Sequence, residues 1–183
     1  MNQFSNLKIT LVAAALLAVS GVQAATMAKA DYQAGKTRIS ADYKADKAAC
    51  SSMSSNAKDI CVEEAKAKEK VARAELEYGY TGKPGDMTKV REVKAKTAYA
   101  VAKEKCDDKA GNDKDVCRKE AKAIETKALV DAKMAKDISE TRKDGAMEKT
   151  DADYKVAAEK CESLSGDAKS SCIASAKAKF GKT

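Results

Sequence analysis

Residues 50–61 read CSSMSSNAKDIC, and the same pattern returns as CDDKAGNDKDVC at 106–117 and CESLSGDAKSSC at 161–172. In each case ten residues separate the two cysteines. The first cysteines of the three segments recur after 56 and then 55 residues. Self-similarity at a fixed period predicts a chain built from repeated supersecondary units.

The flanks of the cysteine segments repeat as well. A tyrosine stands seven residues before each first cysteine, and an Ala-Lys-Ala tripeptide begins four residues after each second cysteine. These residues are Tyr43, Tyr99 and Tyr154, followed by Ala65-Lys66-Ala67, Ala121-Lys122-Ala123 and Ala176-Lys177-Ala178. We therefore divide the chain into repeats at 25–80, 81–144 and 145–183, after an N-terminal segment at 1–24.

Between the paired cysteines the sequence is typical of a turn that joins two helices. Ser54-Ser55, Ala110-Gly111 and Ser165-Gly166 lie at the apex, and glycine there favours the left-handed conformation that ends a helix. Asn56, Asn112 and Asp167 follow, and we expect them to cap the second helix of each pair. The first repeat has Ser55 in place of glycine, which predicts a less sharply specified turn.

Antiparallel helices around such a turn place the two cysteines opposite each other. This predicts three local disulfides, Cys50–Cys61, Cys106–Cys117 and Cys161–Cys172, although six cysteines allow 15 pairings. Ala102 faces Ala121 and Ala157 faces Ala176 on the same stripe, which permits the close approach that a disulfide needs. Asp46 takes the place of one alanine in the first repeat.

Metal ligation and redox catalysis are the alternative roles for these cysteines. Zinc sites place paired ligands two to four residues apart, and thiol oxidoreductases separate their cysteines by two residues. A separation of ten residues fits neither, and the sequence contains no His. We therefore predict no catalytic, cofactor-binding or metal site and no cofactor, and expect a protein that is not an enzyme.

Composition predicts an all-α fold with a thin core. The chain is rich in Ala, Lys and Glu, which are strong helix formers, and has one Pro, two Phe and no Trp. Alanine buries little apolar area, so extended helices with narrow seams are expected. The clearest seam is coiled-coil-like and follows Cys117; a second seam begins at Met147. The first consists of Ala121, Ile124, Ala128, Asp131, Ala135 and Ile138, and the second of Met147, Thr150, Tyr154, Ala157 and Cys161.

Helices are predicted near 28–53, 57–78, 86–109, 113–143, 146–163 and 168–180. The clearest break lies at 79–85, which contains Gly82 and Pro84, whereas the later break rests on Asp144-Gly145 alone. Asp144-Gly145 is interpreted either as a tight turn or as a kink in one long helix. The three hairpins accordingly form either an up-down bundle or an elongated rod.

The first 24 residues are typical of a secretory signal peptide. Lys8 precedes a short apolar run at 9–19, and Val22-Gln23-Ala24 resembles a signal peptidase site. Cleavage after Ala24 is expected, and an uncleaved membrane anchor is the alternative. The chain would then be periplasmic or secreted, without a transmembrane segment, and would carry 34 basic against 28 acidic residues, a formal charge of +6.

In its cysteine pairs, tyrosines and Ala-Lys-Ala tripeptides, the sequence resembles uncharacterised exported bacterial proteins rich in Ala and Lys, over most of residues 40–180. In composition these are similar to the helical stalk of the Tol-system envelope protein. The resemblance implies helical structure and an exported location, and no functional residue is carried over from it.

Two functional hypotheses follow. The first is a structural or interaction protein of the cell envelope, with envelope proteins as partners. The second is a chaperone-like module or a binder of acidic polymers, which would use Lys-rich helix surfaces such as 66–70. Nucleic acid is not expected as a partner, because stacking aromatic residues are scarce.

Overall fold

A computed structural model describes residues 27–183 of the chain. The predicted signal peptide and its cleavage site near Ala24 lie outside these residues. The described part consists of five α-helices: α1 (Lys29–Ala49), α2 (Ser55–Thr81), α3 (Pro84–Cys106), α4 (Gly111–Cys161) and α5 (Gly166–Phe180). A 3₁₀ turn, Cys50–Ser52, follows α1. The predicted all-α fold is therefore confirmed.

The helices pack in the order in which the chain makes them. Among residues 27–183, α1 contacts α2, α2 contacts α3, α3 contacts α4 and α4 contacts α5, with no contact between helices further apart in sequence. Successive helices thus form antiparallel hairpins in a single layer. The three predicted disulfides, Cys50–Cys61, Cys106–Cys117 and Cys161–Cys172, are all present and close three of these hairpins.

Helix α4 departs from the predicted helix pattern. The sequence predicted helices at 113–143 and 146–163, whereas the structure has one helix of 51 residues, about 77 Å long. The predicted boundary at 144/145 lies inside this helix, and Gly145 keeps a helical backbone. A single glycine costs only about 1 kcal/mol in a helix interior, and no proline reinforces it there.

The turn between α2 and α3 contains two residues that end or begin a helix, and α4 has neither. Gly82 has a φ of 63° and ends α2 in the left-handed conformation. Pro84 then begins α3 at a position where its missing N–H costs nothing. At the corresponding place α4 has Asp137, Ile138 and Ser139, none of which stops a helix.

The predicted seam on α4 is only partly correct. Ala121 is buried as predicted, but the next buried positions are Glu125 and Ala132. Ile124 is 67% exposed and Ile138 is 51% exposed. The contact face follows the 3.6-residue period of a straight helix, so it drifts away from a strict alternation of four and three residues.

The predicted helix caps are wrong. Helices α2, α4 and α5 begin two residues earlier than predicted, at Ser55, Gly111 and Gly166, so the predicted caps already lie in the first turn. The residues that precede these helices make no side-chain cap hydrogen bond. Asn56 instead donates from its side-chain amide to the Glu104 carbonyl at 2.9 Å, and so ties the first turn to the end of α3.

The turn predicted to be less sharply specified has the same backbone as the other two. Gly111 and Gly166 have φ values of 54° and 55°, and Ser55 has a φ of 51°. Left-handed backbone is strained for any residue with a Cβ, at a cost of about 1 kcal/mol. The first hairpin therefore contains a strained residue where the others have glycine.

We expect Ser55→Gly to raise the free energy of unfolding by about 0.5 to 1 kcal/mol, because it relieves this strain. Urea unfolding followed by circular dichroism measures the change. The matched control is Ser54→Gly, whose φ of −131° suits any residue. That control should lower the stability, and an equal effect of both substitutions would show that Ser55 is not strained.

Candidate functional site

The disulfides hold the ends of the three hairpins in the same geometry. The Cα atoms of each pair are 5.7 Å apart. The first cysteine of each pair is at most 1% exposed, and these three are the largest fully buried side chains of the described residues. Four residues beyond the second cysteine, Ala65, Ala121 and Ala176 are buried too. A cystine followed by an alanine contact is thus the core of each hairpin.

Ion pairs join the two sides of the second and third disulfide-closed hairpins, close to the disulfides. Asp107, at the end of α3, accepts hydrogen bonds from Lys114 at 3.1 Å and from Arg118, both on α4. The bonds from Lys114 and then Arg118 hold the pKa of Asp107 below its usual range. In the third hairpin Glu162 and Lys169 form the corresponding pair at 2.7 Å.

The repeated tyrosines are partly covered by the packing of their hairpins. Tyr43, Tyr99 and Tyr154 are all half-buried. The ammonium group of Lys122 lies 5.0 Å from the centre of the Tyr99 ring and also binds the buried Glu125 at 2.6 Å. The hydrogen bond to Glu125 raises the pKa of Lys122.

An open groove follows the seam between α3 and α4. Its volume is about 800 Å³, and its walls are mostly alanine, with Tyr99 at one side and Ile124 at the rim. Alanine side chains bring helices close together but leave the space beside the contact unfilled. The groove is therefore a direct result of the alanine-rich composition.

A second groove crosses the α1–α2–α3 layer and is rich in cations. Its volume is about 550 Å³. The five basic residues that line it are Lys36, Lys70, Arg73, Lys89 and Lys96. We call it the basic groove. Arg73 is paired with Glu69 at 2.8 Å, whereas the four lysines form no ion pair among residues 27–183.

Each acidic residue that lines the basic groove accepts a hydrogen bond from a hydroxyl group. The Tyr32 hydroxyl donates to Glu77, and the Thr81 hydroxyl donates to Asp86. Tyr32 also stacks on Tyr80, with ring centroids 4.4 Å apart, and this pair closes the open end of the first hairpin. The hydrogen bond to Glu77 raises the pKa of Tyr32.

Sequence reasoning did not find the basic groove as a site. Of the lysines predicted to form a basic surface at 66–70, Lys66 binds Glu63 at 2.9 Å and Lys68 binds Asp46 at 3.2 Å. Lys70 alone of these three lines the groove. The remaining groove lysines come from two other helices, Lys36 from α1 and Lys89 and Lys96 from α3, so only the packing of the helices could bring them together.

Residues 27–183 contain no group of three or more His, Cys, Asp or Glu side chains placed to hold a metal ion. Within the same range no helix combines the length and the apolar character needed to cross a membrane. No protein-family model, curated protein or solved structure matches the chain.

Proposed function

We propose that this chain is an exported structural protein of the cell envelope, which holds other envelope components at a fixed spacing and has no catalytic activity. The observation that carries the proposal is the single layer of disulfide-closed hairpins, extended by a helix about 77 Å long. Such a layer exposes both broad faces to partners. The disulfides fix the angles between helices that a small alanine core holds only weakly.

The cysteine chemistry supports an extracellular or periplasmic location. All six cysteines are paired, and disulfides persist mainly in oxidising compartments. Export through a signal peptide that is cleaved after Ala24 belongs to the same proposal. So does the absence of catalysis, which rests on the sequence having no His and no recognisable catalytic motif.

Lysine-directed crosslinking in intact cells tests the proposal. We expect one or a few specific envelope proteins to be crosslinked to the chain, and to be lost when the hairpin of α3 and α4 is opened by Cys106→Ser with Cys117→Ser. A matched control is Lys109→Gln, which removes one exposed lysine and leaves the disulfides intact. Failure to recover any specific partner from intact envelopes would contradict a spacing role.

A second function is favoured by the basic groove, namely binding of an acidic polymer. Four unpaired lysines around one concave surface create a positive potential that attracts an extended polyanion. The chain carries a net positive charge of +7, or +6 after removal of the predicted signal peptide, so no global repulsion opposes such binding. Chaperone-like binding of unfolded chains has no comparable observation behind it.

Removing three groove lysines is expected to weaken polyanion binding. We expect Lys36→Gln, Lys89→Gln and Lys96→Gln together to lower the affinity for an anionic polysaccharide by about tenfold at low salt, because their positive potential is lost. Binding is measured by fluorescence titration at about 50 mM and about 300 mM salt, and should weaken at the higher value through screening.

The control carries the same change in net charge outside the groove, at Lys103, Lys109 and Lys143, which are all exposed. It should bind nearly as well as the unaltered protein. An affinity that does not change with salt, or that falls equally in both triple variants, would show that the basic groove is not a polyanion site.

A further inference from the structure

The internal repeat relates each part of α4 to an earlier helix. Matching the second cysteines aligns residues 55–81 of α2 with 111–137, and matching the first cysteines aligns 84–106 of α3 with 139–161. In the earlier pair α3 folds back against α2, whereas in the later pair the chain continues straight as one helix. The surface of α4 that corresponds to the α3-binding face of α2 therefore has no partner within the described chain.

This surface is apolar, as an interface would be. Ala74 of α2 is 9% exposed, while its counterpart Val130 is 52% exposed. Tyr78 is half-buried, while its counterpart Met134 is 52% exposed. Further residues continue the stripe along one side of α4 at intervals of seven or four: Val116, Ala123, Val130, Met134, Ile138, Gly145, Ala152 and Val156. The stripe is exposed except at Gly145, and Ile138 also lines the crevice between α4 and the turn that joins α2 and α3.

The charges beside the stripe are complementary between the two halves of α4. Two ion pairs join α2 to α3, Glu75 with Lys94 at 2.6 Å and Glu64 with Lys105 at 2.7 Å. Their counterparts keep both signs: Asp131 with Lys149, and Glu120 with Lys160. Among residues 27–183 none of these four α4 residues is in an ion pair.

A third pair of positions changes from apolar to charged on both sides at once. Val71 and Ala98 line one crevice between α2 and α3. The counterpart of Val71 is Lys127, and the counterpart of Ala98 is Asp153. Two apolar residues beside one crevice are thereby replaced by two residues of opposite charge rather than by a mismatch. This match is expected if the two halves of α4 face each other in an assembly.

We infer that a second copy of this chain covers the open face of α4. Two α4 helices lie antiparallel, and the first half of each packs against the second half of the other, as α2 packs against α3. The three charge pairs share one midpoint, residue 140, as a two-fold axis through the helix pair requires. The second half of α4 cannot cover the first half within one copy unless the helix breaks.

Charge reversal tests this pairing directly. The mature protein is expected to sediment in the analytical ultracentrifuge as a dimer. Lys149→Asp places like charges opposite Asp131 at two symmetric positions, and should weaken the dimer by about tenfold or more. Asp131→Lys should weaken it similarly, and the double variant should recover most of the affinity.

The matched control is Lys143→Asp, which makes the same charge change at an exposed position on another side of α4. Circular dichroism should show equal helicity in all variants, because the altered residues are exposed in the single chain. A monomer at every concentration, extended or folded back on itself, would overturn the inference. So would a dimer that is insensitive to the single reversals, or one that the double reversal fails to restore.

Discussion

Replacement of all six cysteines by serine is expected to leave the chain largely unfolded at 37 °C. Each disulfide joins residues 11 apart, and closing a loop of that size stabilises the folded state by about 3 kcal/mol, mainly by restricting the unfolded chain. Three such contributions are comparable to the whole stability of a typical domain, about 5 to 15 kcal/mol. The buried core consists largely of alanine and offers little to replace them.

Removal of each of the three disulfides should destabilise a different part of the fold. Loss of Cys161–Cys172 should mainly release α5, which contacts no helix but α4 in the described chain. Loss of Cys106–Cys117 should weaken the whole layer, because α3 and α4 both depend on it. Urea unfolding of each double serine variant, followed by circular dichroism, measures these effects. Stability that is unchanged without any of the disulfides would mean that helix packing alone holds the fold.

Ser139→Pro is expected to lower the free energy of unfolding by about 3 kcal/mol or more. Residue 139 lies in the interior of α4, where proline removes the hydrogen bond to the carbonyl of Ala135 and collides with it. Helicity should fall as well, because the break lies near the middle of the helix.

Ser139→Ala is the matched control, since alanine is the best helix former and should leave stability unchanged or slightly raised. The comparison is made by thermal unfolding under identical conditions. Equal stability of the two variants would mean that the chain already breaks near residue 139, as it does between α2 and α3.

Much of the fold follows from local patterns in the sequence. The cysteine spacing predicted the three disulfides because a hairpin turn of ten residues leaves little freedom in how its ends meet. Gly82 and Pro84 predicted the turn between α2 and α3 because each disfavours helix for a separate reason. The helix boundary predicted at Asp144-Gly145 was wrong because one glycine weakens a helix without ending it.

The remaining features depend on packing that the sequence shows only indirectly. Ile124 was assigned to a seam by its spacing, yet the buried positions of α4 are Ala121, Glu125 and Ala132, and Ile124 lies exposed at the groove rim. The basic groove needs lysines from three helices in register. The sequence carries the charge pairs of the proposed dimer, but which face of α4 lacks a partner depends on how α3 packs against α2.

Disulfide mapping of the mature protein, purified from an oxidising compartment without reductant, tests the central claim most directly. Mass spectrometry of a non-reduced digest should recover three crosslinked peptides: Cys50 with Cys61, Cys106 with Cys117, and Cys161 with Cys172. Free thiols, or any crosslink between different repeats, would contradict the disulfide-closed hairpins on which the fold and the proposed spacing role rest.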